Sequence, residues 1–459
     1  LPTLWIDVED LFDHAAGHAR PSGIQRLSHE VGRALRQRHD AVRFLRHDPP
    51  RGTFRVVPWS AVADVFARMA AAAAPRGRAA PATGGIAAES GARWRLRRLV
   101  YRLPPDFRRR LLTAARQQAL AWAAWADLLR VRAGVASRAD MPEPADPAAD
   151  FASLVRPGDV LAAFGAPWRY PDYAGLIAAT QRRFGVRFAL LVCDIIPIRR
   201  PEWFDPGLVR VFSAWFAATL PLADTVFAIS RATAADVARF AADAGIPLAG
   251  PVQTIPIGSG FGATPAAAPL AATGAAPPGP YVLCVSTIEA RKNHLLLFRV
   301  WRRLLDERPA DMVPTLVFAG RVGWLVVDLM RQLENTGYLG GKIRVIEDVS
   351  DTDLAGLYRG CLFTLFPSFH EGWGLPVTES LMFGKPCLAA RATSLPEAGG
   401  TLARYFDPDS ATDAHDAIRA VLDDLAGLRA WEAEIARSFA PVPWTATADA
   451  ILRGLAISP

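Results

Sequence analysis

The sequence predicts an α/β protein of two parallel-sheet domains, and three observations carry that expectation. Apolar strand-like runs alternate with amphipathic stretches in two successive series along the 459 residues, the pattern of sheets covered on both faces. A Pro/Ala/Gly-rich tract, GATPAAAPLAATGAAPPGP at 262–280, separates the series as a linker does. The length also exceeds what a single core ordinarily serves.

The first series opens with a strand, LWIDV (4–8), and a loop ending RPSGIQ. An amphipathic helix follows, GIQRLSHEVGRALRQR, with Ser22 and Gly23 where a cap belongs. AVRFLRHD (41–48) reads as the next strand, and residues of about 50–150 then break the alternation as an insertion. It resumes with GDVLAAFG, a helix near 172–184, RFALLVCDIIP, a helix near 203–220, DTVFAIS, a helix from about 231, and VQTIPIG. The second series runs YVLCVST, helix 293–307, PTLVFAG, helix 323–336, KIRVIED, helix 351–359, CLFTLFP, helix 376–384 and PCLAA. Domains of 1–262 and 278–443 are therefore expected. In such sheets, ligands bind at the carboxyl ends of the strands.

Composition narrows the function. An apolar share of 51% with 21% charged residues is a globular profile. The longest apolar run, FALLVCDIIPI, is too short to span a bilayer and contains Asp194 and Pro197. No basic-then-apolar leader opens the sequence, so a cytoplasmic protein is expected. Four cysteines without a C-x-x-C pair sit in apolar runs, as buried free thiols do. The net charge of +7 points to an anionic partner. Nearly all the positive charge is Arg; Lys occurs only at 292, 342 and 385.

Two constellations carry chemistry. In LFTLFPSFHEGWGLPVTESLMFGKP (362–386), a strand ends at Pro367, and Glu371 and Glu379 flank a Gly-Trp-Gly-Leu-Pro turn. Pro376 suits a helix start, and the unpaired N–H groups there form an anion site. Gly372 and Gly374 leave room for a ligand at the backbone. Two carboxylates beside an anion site fit hydroxyls at either end of a diphosphate, the layout of a nucleotide sugar. Alone, Glu379 could equally complement the helix dipole. The turn itself shows no packing logic in the sequence. In VSTIEARKNHLLLFRVW (285–301), Arg291 and Lys292 stand ahead of a helix that Asn293 could cap. Cations there oppose the dipole unless an anion lies between.

These two motifs, with SLPEAGG and RYFDPD at the expected intervals, resemble family-4 retaining glycosyltransferases of the GT-B fold: two Rossmann-like domains facing each other across a cleft. The second half matches almost throughout. In the first half, PSGIQR, DTVFAISRATAADV and VQTIPIGSGF match more loosely. The closing VPWTATADAILRGL resembles the family's helix that crosses back, which implies that 444–459 packs on the first domain. The resemblance implies that Arg291 and Lys292 neutralise the leaving diphosphate, with Gly23 approaching it from the opposite domain and Gly374 and Leu375 contributing backbone. It further implies that Glu379 holds the ribose, and that Glu371, as catalytic residue, holds the transferred sugar with Gly372, Trp373 and Asp194. No metal or cofactor is implied, and no D-x-D ends a strand. Cys193 stands where many relatives have His; Asp194 reads equally well as a cap of the following turn.

The expected function is transfer of a hexose, mannose from GDP-mannose, to a saccharide or lipid-linked acceptor in cell-surface polysaccharide assembly. UDP- or dTDP-activated donors remain open, as do a sugar-nucleotide epimerase and a non-catalytic binder. Nucleic-acid binding rests on charge alone and is not expected. Between Arg93 and Arg116, nine Arg interleave with apolar residues. That stretch fits a peripheral contact with an anionic membrane and equally an insertion packed on the first domain.

Overall fold

A computed structural model describes residues 2–18, 20–71, 150–260, 276–347 and 349–457. The Arg-rich stretch 93–116, and most of the linker read at 262–280, lie outside the described residues.

The first half is a seven-stranded sheet in the order β3-β2-β1-β4-β5-β6-β7. Its strands are β1 (Leu4–Asp7), β2 (Val42–Asp48), β3 (Thr53–Val57), β4 (Val160–Ala163), β5 (Arg187–Val192), β6 (Thr225–Ala228) and β7 (Gln253–Thr254). All neighbours pair in parallel except β2 and β3, which are antiparallel at the edge. The second half is a fully parallel six-stranded sheet in the order β10-β9-β8-β11-β12-β13. It comprises β8 (Tyr281–Val285), β9 (Thr315–Ala319), β10 (Ile343–Ile346), β11 (Thr364–Phe366), β12 (Cys387–Ala390) and β13 (Arg404–Phe406). The expected pair of parallel-sheet α/β domains is the architecture observed.

The insertion expected from residue 50 starts later: residues 53–57 are an edge strand and Trp59–Ala71 form helix α3. The antiparallel return of β3 interrupts strand–helix alternation, and the sequence pattern breaks there for that reason.

Helices α1 (Glu9–Gly17) and α2 (Gly23–Arg38) leave β1, followed by α4 (Tyr173–Phe184), α5 (Pro206–Thr219) and α6 (Arg231–Asp243). The second half adds α7 (His294–Glu307), α8 (Val327–Asn335), α9 (Asp351–Gly360), α10 (Leu375–Met382), α11 (Leu395–Gly399), α12 (Ala411–Asp423) and α13 (Leu425–Ser438). Strand alternation sorts the core: Leu4 and Ile6 join one buried cluster and Trp5 another, on the opposite face of the sheet. The last helix, α14 (Trp444–Gly454), buries Trp444, Ala448, Ile451 and Leu452 in the first half's core, so the chain ends where it began. Gly258 allows this crossing, because a Cβ there would overlap the Trp444 ring. All four cysteines are free thiols.

In the second sheet the strand order reverses between β8 and β11, and in the first between β1 and β4. Such reversals open a crevice at the carboxyl ends of the strands. The segments leaving β8 and β11 carry the two constellations read from the sequence.

Candidate active site

The exits of β8 and β11 meet at Glu371. Arg291 Nη1 donates to Glu371 Oε2 at 2.9 Å and to the His370 carbonyl at 2.7 Å, while Lys292 Nζ reaches Glu371 Oε1 at 2.6 Å. Arg291 also grips Glu289 Oε1 through Nε and Nη2, at 3.1 and 2.8 Å. The backbone seals the junction, since Phe369 N donates to the Arg291 carbonyl at 3.0 Å. Glu289 and Glu371 are buried, and the cations' side chains are only 15% and 13% exposed. Burial alone would raise the Glu371 pKa; Arg291 and Lys292 more than reverse this and hold it at about 2. Burial and Arg291 together lower the Lys292 pKa against the pull of Glu371. Lys292 Nζ spends one N–H on Glu371, and an ammonium has two further donors for another acceptor.

Asn293 does not cap α7 with its side chain. It lies in the left-handed region (φ 58°, ψ 35°), and Nδ2 donates to the Pro367 and Pro408 carbonyls at 3.2 and 3.0 Å. It ties the β8, β11 and β13 exits together.

The Gly-Trp-Gly-Leu-Pro turn has a packing role that the sequence did not reveal. Trp373 and Leu375 pack against the first half's core, and Trp373 also joins a small cluster of the second half. The Trp373 ring, expected at the sugar, is a wedge between halves, with its buried Nε1 lacking a hydrogen-bond partner. Gly372 is required by a protein neighbour: a Cβ would overlap the Cys193 carbonyl oxygen and stand 3.2 Å from Asp194 Cβ. Gly374 (φ 122°, ψ 51°) is the N-cap of α10, a conformation that side chains rarely adopt. Pro376 follows Leu375 as the second helical residue. Gly23 begins α2 opposite this turn, with a hypothetical Cβ 3.9 Å from Leu375 Cδ1. Ser22 is the N-cap of α2, accepting from Ile24 N at 3.3 Å.

Asp194 follows its plainer reading: Oδ1 accepts from Ile196 N at 3.0 Å, an Asx turn. Its carboxyl is raised by burial and by Glu371, against Arg291, so it shares the electrostatic neighbourhood of the cations. Cys193 keeps a protonated thiol, burial pushing its pKa up with Asp194 and Asp10 adding to it.

The two glutamates of the motif serve different neighbours. Glu379 Oε2 accepts from Tyr358 OH at 2.8 Å, and burial raises its pKa against Tyr358 and Arg26. Arg26 of α2 crosses to Asp351 of α9 through two hydrogen bonds of 3.1 and 2.7 Å, and its charge acts on Glu379. Tyr358→Phe removes the phenol that favours the carboxylate. The Glu379 pKa is expected to rise further, and affinity for a hydroxyl-bearing ligand to drop by about tenfold, the scale of one lost charged hydrogen bond. Calorimetric titration across pH 5 to 8 checks this, as the loss should grow toward the acid side.

Partners missed by the sequence reading are Glu289, Tyr358, Thr233 and the Thr393–Ser394 pair. Glu289 sits inside the quoted motif, and its charge two positions before Arg291 was a usable signal. Thr233 and Ser394 also sit in quoted stretches, but their partners lie on other segments of the chain. At the exit of β1, Asp7 Oδ2 lies 2.8 Å from His47 Nε2 and accepts from Tyr173 OH at 3.0 Å. Nearby, burial and Asp7 raise the Asp10 pKa to about 6. Among the described residues no group of three or more His, Cys, Asp or Glu is arranged to hold a metal ion, and no helix is long and apolar enough to cross a membrane.

Residues 271–437 match the family described as glycosyl transferases group 1. The serotype-specific mannosyltransferase WbdA of Escherichia coli is 30% identical over 251 residues, 52% of this chain and 30% of that protein. O-antigen chain mannosyltransferase B of Escherichia coli is 36% identical over 137 residues, 29% of this chain and 35% of that protein. The chain thus spans about a third of the length of these relatives. Among solved structures, an α,α-trehalose-phosphate synthase (UDP-forming) from Burkholderia xenovorans aligns with a TM-score of 0.51 at 16% identity, over 66% of this chain and 74% of that one, a likeness of fold. The cation–carboxylate junction and the turn ahead of α10 both fall inside the segment that matches this family.

Proposed function

We propose that this chain is a retaining glycosyltransferase that moves mannose from GDP-mannose to a saccharide acceptor in cell-surface polysaccharide assembly. The observation that carries the reading is the convergence of Arg291 and Lys292 on the turn before α10, inside the family-matched domain. Mannose is favoured because the relatives named above are mannosyltransferases, one of them acting on O-antigen chains.

In this reading the diphosphate lies between the α10 N-terminus and Gly23, with free N–H donors of Lys292 and Arg291 turned to it. Glu371 serves as the fixed counter-charge that keeps both cations in place and offers its remaining lone pairs to sugar hydroxyls. Gly372 and Asp194 border the sugar, and Glu379 takes the ribose hydroxyls. The C1–O bond to the diphosphate breaks as the acceptor oxygen bonds C1 from the same face. The acceptor's proton passes to the departing phosphate oxygen. Developing charge on the diphosphate is met by the two cations and the helix terminus, without a metal. Acceptor hydroxyls have partners at the β1 exit, in Asp10 and the Asp7–His47 pair. A cytoplasmic site of action, peripheral to an anionic membrane through 93–116, completes the proposal.

Thermal denaturation with a panel of nucleotide sugars tests it. At about a hundredfold excess over the dissociation constant, the true donor adds about 2.7 kcal/mol of stability, a rise of several degrees. GDP-mannose is expected to give the largest shift. A larger shift with UDP- or dTDP-sugars would reassign the donor, and no shift with any nucleotide sugar would overturn the reading. Slow donor cleavage without acceptor separates a transferase from a binder.

A further inference from the structure

We propose that Glu397 is a positioning residue: it caps α6 of the first half from the second half, and so keeps the Glu371–Trp373 turn aligned with the Cys193–Asp194 strand end. The inference rests on the reading above.

Three N–H groups in the first turn of helix α6 lie outside its i→i−4 ladder and need acceptors. Ser230 Oγ takes one, from Thr233 N at 3.0 Å, and the Ser230 carbonyl opens the ladder with Ala234 N at 2.9 Å. The other two belong to Arg231 and Ala232. They donate to Glu397 Oε2 and Oε1, each at 2.9 Å, across the boundary between the halves. Arg231 Nε also lies 3.3 Å from Oε2, but that side chain is 80% exposed against 14% for Glu397. The backbone pair is therefore the sheltered part of the contact.

The segment that delivers Glu397 also grips the donor turn. Thr393 Oγ1 accepts from Glu371 N at 3.0 Å, and Ser394 Oγ lies 2.9 Å from the Glu371 carbonyl and 2.8 Å from that of Trp373. Thr393 holds a left-handed backbone, φ 45°, to make the turn. On the far side, Thr233 Oγ1 of α6 lies 3.4 Å from both the Cys193 and the Gly372 carbonyls. The contacts close a ring: turn 371–373, segment 393–397, the start of α6, and back to the turn. Each half has its own apolar core, so losing Glu397 opens the ring without dismantling either sheet.

Arg291 and Lys292 pair with Glu371 inside the second half and move with the turn as one unit, and Glu379 keeps its Tyr358 partner. Glu397→Ala should therefore leave the donor KM within about threefold, while kcat, which needs the first half in register, falls about tenfold or more. Glu397→Gln keeps one carbonyl oxygen and should lose less than Glu397→Ala. Hydrogen exchange read by mass spectrometry supplies the second readout. In Glu397→Ala, amides at 231–233 and at 371–373 are expected to gain exchange together, by about tenfold. Faster exchange confined to 231–233, or an unchanged kcat, would overturn the proposal and leave an ordinary helix cap. Should Glu397→Ala not fold, Glu397→Gln carries the same paired readout. If the native chain transfers no sugar from any nucleotide donor, the functional reading fails, and the exchange arm still decides whether Glu397 aligns the turn.

Discussion

Lys292→Ala is expected to lower transfer by at least about a hundredfold while the fold persists, since removing one preformed charge from a developing oxyanion has an effect of this size. The ammonium is one of two cations at the turn, and no metal stands in for it in the proposed reaction. The fold survives because the carboxylate left behind is still paired: Glu371 keeps Arg291 Nη1 at 2.9 Å. Glu371→Gln is expected to be just as inactive but less stable, since it strips the counter-charge from Lys292 and half of it from Arg291, whose other partner is Glu289. Breaking a buried pair by removing one member costs about 3–5 kcal/mol, and the amide oxygen, as a remaining acceptor, should bring the cost to the lower end.

The pH dependence separates this from a general loss of packing. The Glu371 pKa falls on folding from 4.5 to about 2, so its stabilising share is present above about 4.5 and fades as pH falls toward about 2. Urea unfolding of native protein and Glu371→Gln should therefore differ most at neutral pH and converge in acid. Native turnover in Lys292→Ala would remove this lysine from the site, and a pH-independent gap would show that the charge of Glu371 is not what stabilises the fold.

Gly372→Ala is the second substitution with a large expected effect. A Cβ would overlap the Cys193 carbonyl oxygen and stand 3.1 Å from its carbon. Both are backbone atoms just past the end of β5, so no side-chain rotation relieves the overlap. The turn must retreat from the first half, carrying Glu371 and its cations with it. A displacement near 1 Å at reacting groups costs about a hundredfold, and kcat/KM should drop on that scale. Gly17→Ala, where a Cβ meets nothing within 4 Å, is the matched control and should stay at native activity. Activity of Gly372→Ala within twofold of native would show that the halves need not approach so closely during turnover.

How much of this was legible beforehand varies with the range of the information. Helix α2 with its Ser22 cap, the strands LWID and YVLCV, and the cation pair after β8 are written in neighbouring residues. Periodicity and capping chemistry are local, and a reader of the sequence recovers them. The start of the insertion was misplaced because β3 returns antiparallel at an edge, where alternation of strand and helix no longer holds.

The sequence by itself determined two parallel sheets, a carboxylate-flanked glycine turn and a cation pair ahead of a helix. Only the tertiary structure decided who meets whom. Arg291 and Glu371 are 80 positions apart, and they touch because β8 and β11 are adjacent in the sheet while far apart in the chain. That adjacency follows from parallel crossovers, whose strand order leaves no local mark. The same reason governs Gly372 against Cys193, Trp373 in the first half's core and Glu397 at the start of α6. Each of these contacts joins the two halves, and none is marked by the residues next to it in the chain.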